Sequence, residues 1–117
     1  MSKYYIKAII LNGCPYSKNA EGLLKSNSIP SDINYINHSE KNIFKNDLIS
    51  TFPQLYLKKY NKNGNLLLGG FNDLDSFIKT FKGKYSEIDI NNFIFKSKWS
   101  RKATLRLIEL INQNNTD

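Results

Sequence analysis

The chain has 117 residues, of which 40% are hydrophobic and 23% are charged, and its formal net charge is +7. This length supports one modest hydrophobic core, and the composition is that of an ordinary globular protein. The longest uninterrupted apolar run has four residues, Ala8 to Leu11. A membrane-spanning helix needs roughly twenty, so the sequence excludes a helical membrane span and we expect no membrane partner.

The segment from Tyr4 to Leu11 predicts a buried strand, because aromatic and β-branched residues dominate it. Asn12 and Gly13 then break the strand, and Pro15 suits the first position of a helix, where its missing N–H is not needed. The helix is expected to bury one apolar stripe, formed by Ala20, Leu23 and Leu24.

Strand and helix patterns continue to alternate after this helix. Residues 33–36 predict a second strand, and residues 40–49 predict a second helix because Ile43, Phe44 and Leu48 recur near helical spacing. Residues 54–58 and 65–68 predict a hairpin. A third helix over residues 73–81 closes the series, with its apolar side formed by Leu74, Phe77 and Ile78.

This order, β-α-β-α-β-β-α, predicts an α/β fold with a mixed four-stranded sheet flanked by helices. Because crossover connections between parallel strands are right-handed, few topologies remain, and the simplest of them is the thioredoxin fold. We expect residues 1–81 to form this domain. Residues 82–117 are expected to form a basic, helical C-terminal extension that packs on the domain.

The extension contains a predicted final helix of about twelve residues, since apolar residues recur at helical spacing from Trp99 to Leu110. A polar tail from Asn112 to Asp117 follows it. Five positive charges occur within eleven residues of this region without an acid among them: Lys96, Lys98, Arg101, Lys102 and Arg106. Such a run forms either a solvated helix face or a contact for an acidic partner, a membrane surface or nucleic acid.

Fifteen of the seventeen basic residues are lysine, and the chain also has sixteen asparagines and fourteen isoleucines. This joint enrichment is typical of an AT-rich genome, as in some large DNA viruses, so codon usage contributes to the charge. Aromatic and basic residues do not interleave as they do in RNA-binding motifs, and we therefore do not expect specific nucleic-acid binding.

The chain has one cysteine, Cys14, and one histidine, His38. One cysteine cannot form a disulfide within the chain, and the two residues are too few for a structural zinc site, so we predict no metal site. Residues 1–7 lack the apolar core of a secretory signal. We expect a reduced, cytoplasmic protein, located in the host cytoplasm if the chain is viral.

Cys14 lies between the first strand and the first helix, in the sequence Cys14-Pro15-Tyr16-Ser17. Unpaired N–H groups and the positive end of the helix dipole favour a thiolate at this position. Lys18 adds positive charge one turn later, and Ser17 could donate a hydrogen bond to the sulfur. The alternative is a buried, inert cysteine, but the junction of strand and helix faces ligands in open α/β sheets.

Two further motifs follow: Thr51-Phe52-Pro53-Gln54 before the third strand, and Gly69-Gly70-Phe71-Asn72-Asp73-Leu74 at the start of the third helix. Together with Cys-Pro-Tyr-Ser, this ordered set resembles the glutaredoxin family over residues 1 to about 81. The resemblance implies a thioredoxin fold and a thiol–disulfide oxidoreductase that uses glutathione as co-substrate.

The resemblance also implies roles for individual residues. Cys14 matches the nucleophile, and Tyr16 matches the aromatic residue beside it. Pro53 matches a cis-proline facing the cysteine, and Phe52 would pair its backbone with glutathione like an added strand. The alternative for Thr51, Phe52 and Pro53 is a simple helix stop.

The turn before the third helix matches the part of the family site that holds the γ-glutamyl end of glutathione. The residues concerned are Gly70, Phe71, Asn72 and Asp73. The glycine would permit the tight turn, the N–H groups would bind the carboxylate, and Asp73 would pair with the ammonium. The alternative is a helix N-cap supplied by Asn72 or Asp73.

The chain departs from the family pattern at two positions. Ser17 stands where the dithiol form has its resolving cysteine, so a second glutathione must release the mixed disulfide. Leu11 stands where the family usually has a lysine that contacts the glycine carboxylate of glutathione. Lys7 and Lys18 are candidate substitutes for that lysine.

We therefore expect a monomeric, monothiol oxidoreductase that reduces protein–glutathione mixed disulfides through Cys14, with glutathione and glutathionylated proteins as partners. One alternative is a non-catalytic binding module of the same fold that uses the basic C-terminal helix. Another is a carrier of a glutathione-ligated [2Fe–2S] cluster, although relatives of that kind usually have Cys-Gly-Phe-Ser.

Overall fold

A computed structural model describes residues 3–113 of the chain, which contain a four-stranded sheet in the order β2-β1-β3-β4. Strand β2 runs parallel to β1, and β3 runs antiparallel to both β1 and β4. The four strands are β1 (Tyr4–Leu11), β2 (Ser31–Ile36), β3 (Gln54–Lys59) and β4 (Leu66–Gly69). The predicted α/β class and the mixed four-stranded sheet are confirmed.

Five helices accompany the sheet: α1 (Pro15–Ser26), α2 (Lys41–Phe44), α3 (Phe71–Phe81), α4 (Glu87–Ser97) and α5 (Arg101–Asn112). A single 3₁₀ turn, His38–Glu40, precedes α2. Within residues 3–113, none of the helices is long and apolar enough to cross a bilayer. The predicted C-terminal helix is α5, and residues 114–117 of the predicted polar tail lie outside the described residues.

The central strand β1 contributes to two separate apolar clusters, because successive side chains of a strand point to opposite faces. Ile6, Ala8 and Ile10 belong to the larger cluster, on one face of the sheet. Ile9 and Leu11 belong to the smaller cluster, together with Ile36 and Phe52. Cys14 packs against this smaller cluster. Strand β1 therefore both precedes the thiol in the chain and contributes Ile9 and Leu11 to the apolar surface against which it packs.

The C-terminal helices share the larger cluster with the sheet and with α1 and α3. Leu24 of α1, Phe77 of α3, Ile90 of α4 and Leu107 of α5 are all buried in it. Trp99, between α4 and α5, is also buried, and its indole N–H donates a hydrogen bond to the carbonyl oxygen of Leu67 in β4 at 3.0 Å. The C-terminal segment is thereby joined directly to the sheet.

The second predicted helix, residues 40–49, is wrong in its length. The structure has a 3₁₀ turn and the four-residue helix α2, and the chain leaves helical geometry at Lys45. Ile43 and Leu48 are 74% and 80% exposed, so they do not form the buried stripe that helical spacing suggested. Because most helix stability comes from packing an apolar face, a segment whose apolar residues face solvent does not extend its helix.

The five basic residues of the C-terminal region do not share one helix face, and two of them have acidic partners. Arg101 donates hydrogen bonds to both carboxylate oxygens of Glu87, at 2.5 and 2.7 Å, and Arg106 lies 3.4 Å from Glu109. The hydrogen bonds from Arg101, together with its positive charge, lower the pKa of Glu87. Glu87 lies fourteen residues before Arg101 in the chain. It is therefore outside the basic run of residues 96–106, and the sequence alone did not indicate this pair.

Replacing Arg101 with glutamine is expected to raise the pKa of Glu87 towards its ordinary value, 4.5. A carboxyl whose pKa is lowered by folding stabilises the fold above its unfolded pKa, and that contribution is lost as the pH falls through the folded value. The wild type should therefore unfold at higher urea than the variant at neutral pH, with the difference shrinking in acid. NMR titration of Glu87 and urea unfolding at both pH values test this; an unchanged pKa of Glu87 would contradict it.

Candidate active site

Cys14 is the N-cap of α1, directly after the turn that ends β1. Its backbone N–H donates to the carbonyl oxygen of Leu11 at 3.2 Å, and its own carbonyl oxygen accepts the first helical bond, from Lys18 at 3.0 Å. The side chain is half-buried. The thiol thus lies at the start of a twelve-residue helix, which presents unpaired backbone N–H groups and the positive end of the helix dipole.

The loop before β3 lies directly opposite the thiol. The peptide bond between Phe52 and Pro53 is cis, as the resemblance implied. The sulfur of Cys14 lies 4.0 Å from the carbonyl oxygen of Phe52. Pro53 and the side chain of Phe52 are buried, whereas Thr51 is exposed. The buried residues Phe52 and Pro53 therefore fix the backbone of this loop beside the sulfur of Cys14.

The start of α3 completes the same edge of the molecule. Gly70 is its N-cap, and a Cβ atom at Gly70 would lie 3.5 Å from the carbonyl oxygen of Pro53, so the two loops are in close approach. The ring of Phe71 lies 6.2 Å from that of Tyr16, measured between centroids. Tyr16 is 58% exposed. The three sequence motifs therefore meet at one place, although the chain separates them by many residues.

The predicted third helix begins two residues earlier than the sequence indicated, at Phe71 rather than Asp73. The N-cap is Gly70, and the alternative in which Asn72 or Asp73 fills that position is wrong. The carboxylate of Asp73 instead reaches back to accept a hydrogen bond from the N–H of Gly70 at 2.8 Å. Asn72 and Asp73 are both exposed at this turn, with the following N–H groups of the helix start beside them.

The sequence placed Gly69 in the motif at the start of the third helix without a role of its own, and the structure gives it one. Its φ angle is +129°, and a Cβ atom there would overlap the carboxylate of Asp73. Only glycine adopts this backbone conformation readily. The double glycine was the signal in the sequence, but the contact with Asp73 appears only once the turn is folded.

Replacing Gly69 with alanine is expected to destabilise the protein by about 1–3 kcal/mol, the usual cost of forcing a side chain into a sparsely populated backbone region. The same change should displace Asp73 and so break its bond to Gly70. Urea unfolding measures the stability. Gly22→Ala is the matched control, because a Cβ at that helical position meets nothing within 4 Å; equal midpoints for the two variants would contradict the prediction.

Ser17 is fully buried, and its hydroxyl oxygen accepts a hydrogen bond from the backbone N–H of Leu11 at 3.1 Å. The partner described for this side chain is thus the end of β1, whereas the sequence suggested a bond to the sulfur of Cys14. This bond ties the first turn of α1 to the strand. Because a buried N–H without a partner is costly, Ser17 helps to fix the position of the helix start that carries Cys14.

The two candidate substitutes for the family's lysine lie in different surroundings. Lys7 forms an ion pair with Asp32 at 2.9 Å. Lys18 lines a groove of about 440 Å³ that also includes Cys14 and runs between α1 and β2. Leu11, at the family's lysine position, is buried in the smaller cluster. Of the two lysines, Lys18 is therefore the one that shares a surface with the thiol.

The far side of this groove contains a polar group that the sequence did not indicate. The hydroxyl of Tyr35 donates a hydrogen bond to the carboxylate of Glu21, which also pairs with Lys25 at 3.2 Å. The hydroxyl of Tyr35 is the main cause of the lowered pKa of Glu21, and Lys25 contributes to it. Glu21 and Lys25 are four residues apart on α1, whereas Tyr35 reaches Glu21 from the neighbouring strand β2.

The described residues contain no group of three or more histidine, cysteine, aspartate or glutamate side chains placed to hold a metal ion. Across residues 3–113, the surroundings of Cys14 include the backbone of Phe52, the paired rings of Tyr16 and Phe71, and a groove that contains Lys18 and, on its far side, Glu21. The exposed backbone beside the sulfur suits a ligand with an extended backbone.

Comparison with known proteins identifies a similarity in fold. No protein-family model matches the chain, and no significant match is found among curated proteins. Among solved structures, the fold is similar to that of glutaredoxin 1 from Francisella tularensis, determined in complex with cacodylate, with a TM-score of 0.54 and 24% sequence identity. The similarity covers 65% of this chain and 93% of that chain. The chain therefore has the thioredoxin-like α/β fold of a glutaredoxin.

Proposed function

We propose that this protein is a glutathione-dependent monothiol oxidoreductase that reduces protein–glutathione mixed disulfides through Cys14. The observation that carries the proposal is the position of the sulfur, 4.0 Å from the carbonyl oxygen of Phe52 and at the start of α1. In thiol–disulfide exchange the cysteine thiolate is the nucleophile. The backbone beside the sulfur offers an edge on which the peptide part of glutathione would pair.

In the first step, the Cys14 thiolate attacks the glutathione sulfur of the mixed disulfide. A new bond forms between Cys14 and glutathione, the old S–S bond breaks, and the substrate protein leaves as a thiolate that takes a proton. In the second step, the thiolate of another glutathione attacks the glutathione sulfur bound to Cys14. Oxidised glutathione leaves and the Cys14 thiolate is restored, so the substrate is reduced at the expense of glutathione.

In the proposed complex, different residues around the thiol would contact different parts of glutathione. Phe52 would pair with the cysteinyl unit through its backbone, between Thr51 and Pro53. The N–H groups at the start of α3 would bind the γ-glutamyl carboxylate, near Asn72 and Asp73. The rings of Tyr16 and Phe71 would enclose the reacting sulfurs from one side.

The glycine carboxylate of glutathione needs a cation, and Leu11 does not supply one. We assign this role to Lys18, because it lines the same groove as Cys14 whereas Lys7 is paired with Asp32. The single thiol and the serine at position 17 restrict the proposed chemistry to exchange with glutathione. The mixed disulfide with glutathione is then an obligatory intermediate.

Incubation with oxidised glutathione tests this intermediate directly. Intact-mass spectrometry should show one glutathione per chain, peptide mapping should locate it at Cys14, and added reduced glutathione should remove it. Steady-state reduction of a glutathionylated peptide should show ping-pong kinetics, because the first product leaves before the second glutathione reacts. A chain that forms no adduct under these conditions would overturn the proposal.

A further inference from the structure

A second cleft lies between the turn of the β3–β4 hairpin and the start of α5. Its volume is about 440 Å³, within the range of roughly 300–1,000 Å³ found for small-molecule sites. Tyr4, the first residue of β1, lines it, whereas Cys14 lies beyond the last residue of that strand. Eight residues of strand span roughly 25 Å, so this cleft is separate from the thiol.

Among the residues that the structure describes, four basic side chains and no acidic residue line the cleft. Lys59 and Lys62 come from the hairpin, and Lys102 and Arg106 come from α5. The last two are four residues apart on one helix face, where like charges repel. Folding therefore brings four positive charges from two elements to one concave surface, an arrangement that an anion would stabilise.

Two of these cations lie close to the ring of Tyr4. The Lys59 ammonium and the Arg106 guanidinium each lie 5.9 Å from its centroid. The attraction of a cation to an aromatic face favours both positions. Tyr4 and Lys59 are also direct partners in the β1–β3 ladder, so the sheet fixes this part of the cleft before any ligand is present.

The neighbouring acidic residues neutralise little of the positive charge of the cleft. Arg101, which precedes Lys102, is paired with Glu87 and does not line the cleft. Arg106 has Glu109 at 3.4 Å, an exposed contact of the kind that contributes little. Within residues 3–113, no ion pair is formed by Lys59, Lys62 or Lys102.

We propose that this cleft binds a small oligophosphate, such as the phosphate chain of a nucleoside triphosphate. Several adjacent negative charges match several converging cations, whereas a single carboxylate would leave most of them unpaired. Asn63, Asn65 and Ser100 also line the cleft and offer hydrogen bonds to phosphate oxygens. Because the four cations line one concave pocket, the geometry favours a small anion over a nucleic-acid strand.

Isothermal titration with sodium tripolyphosphate at low ionic strength tests this proposal on the full chain. We expect saturable binding of one anion per protein, and comparable or tighter binding of ATP. The double variant Lys62→Ala/Lys102→Ala removes two exposed cations of the cleft and should weaken binding of tripolyphosphate about tenfold or more, the usual scale for losing charge-assisted contacts. Circular dichroism and thermal unfolding without ligand establish that the variant is folded.

The matched control is Lys45→Ala/Lys84→Ala, which removes the same charge at two exposed positions outside the cleft. Its affinity should stay within about twofold of the wild type, a difference of less than about 0.5 kcal/mol. Equal weakening by the two double variants would show a general effect of net charge and overturn the proposal. Absence of saturation would overturn it too, as would binding of a single-stranded oligonucleotide without binding of tripolyphosphate or ATP.

Discussion

Replacing Cys14 with serine is expected to abolish reduction of a glutathionylated peptide, lowering the rate by at least about a thousandfold, the scale seen when a covalent nucleophile is removed. A serine hydroxyl is not ionised at neutral pH and is a poor nucleophile without a strong base beside it. The substitution retains nearly the same volume at a half-buried position, so the fold should persist. A coupled assay that follows oxidised glutathione measures the rate.

Two controls separate the thiol from other effects of the change at Cys14. Cys14→Ala also lacks the thiol and should be equally inactive, which excludes an effect of the new hydroxyl. Ser26→Ala changes an exposed serine at the far end of α1 and should retain the wild-type rate. If Cys14→Ser reduced the peptide as fast as the wild type, the proposed function would be wrong, whatever the fold.

Replacing Trp99 with alanine is expected to lower the free energy of unfolding by about 3–5 kcal/mol, the usual cost of truncating a buried aromatic ring of this size. Trp99 is 6% exposed, and its ring meets Phe93 edge to face at 5.6 Å between centroids. A typical domain has only about 5–15 kcal/mol of stability. Urea unfolding followed by circular dichroism measures the change, since the variant lacks the only tryptophan.

Two further variants divide the contribution of Trp99. Trp99→Phe keeps an aromatic ring but loses the bond to the carbonyl oxygen of Leu67, and it should cost about 1–3 kcal/mol because that oxygen loses its partner. Leu105→Ala, at a position that is 40% exposed, should change the stability by less than about 0.5 kcal/mol. A loss at Trp99→Ala no larger than that at Leu105→Ala would contradict the assigned packing.

Trp99 also connects the C-terminal segment to the candidate active site. Its partner Leu67 lies in β4 two residues before Gly69, whose turn carries the start of α3. The neighbouring Gly70 approaches Pro53 beside the thiol. The extension beyond Phe81 thus supports the strand on which one wall of the site is built, which gives those residues a structural role independent of their charge.

Patterns that depend on near neighbours were predictable from the sequence. The aromatic and β-branched residues of β1 identified the buried strand, and Pro15 identified the start of α1 at which Cys14 lies. The order of the elements was sufficient to predict the mixed sheet. These features follow from local backbone preferences and from the period of apolar residues, both of which can be recognised within a few residues.

Features that depend on contacts between distant segments were not predictable in this way. Helical spacing over residues 40–49 predicted a longer helix than the structure has, because Ile43 and Leu48 are exposed and do not pack against the rest of the protein. Likewise, the partner of Arg101 is Glu87, in another helix, and the hydroxyl of Tyr35 reaches Glu21 from the sheet. Spacing along the chain carries no information about such pairs.

The sequence by itself determined the order of strands and helices from β1 to α3, the single thiol at a helix start, and the three motifs that suggested glutathione, but it did not indicate α4. Only the tertiary structure decided that these motifs meet, with the sulfur of Cys14 4.0 Å from the carbonyl oxygen of Phe52 and Gly70 against Pro53. It also decided that four basic side chains converge far from the thiol. The physical reason is that local preferences select each element, whereas burial of shared apolar surface selects which elements become neighbours.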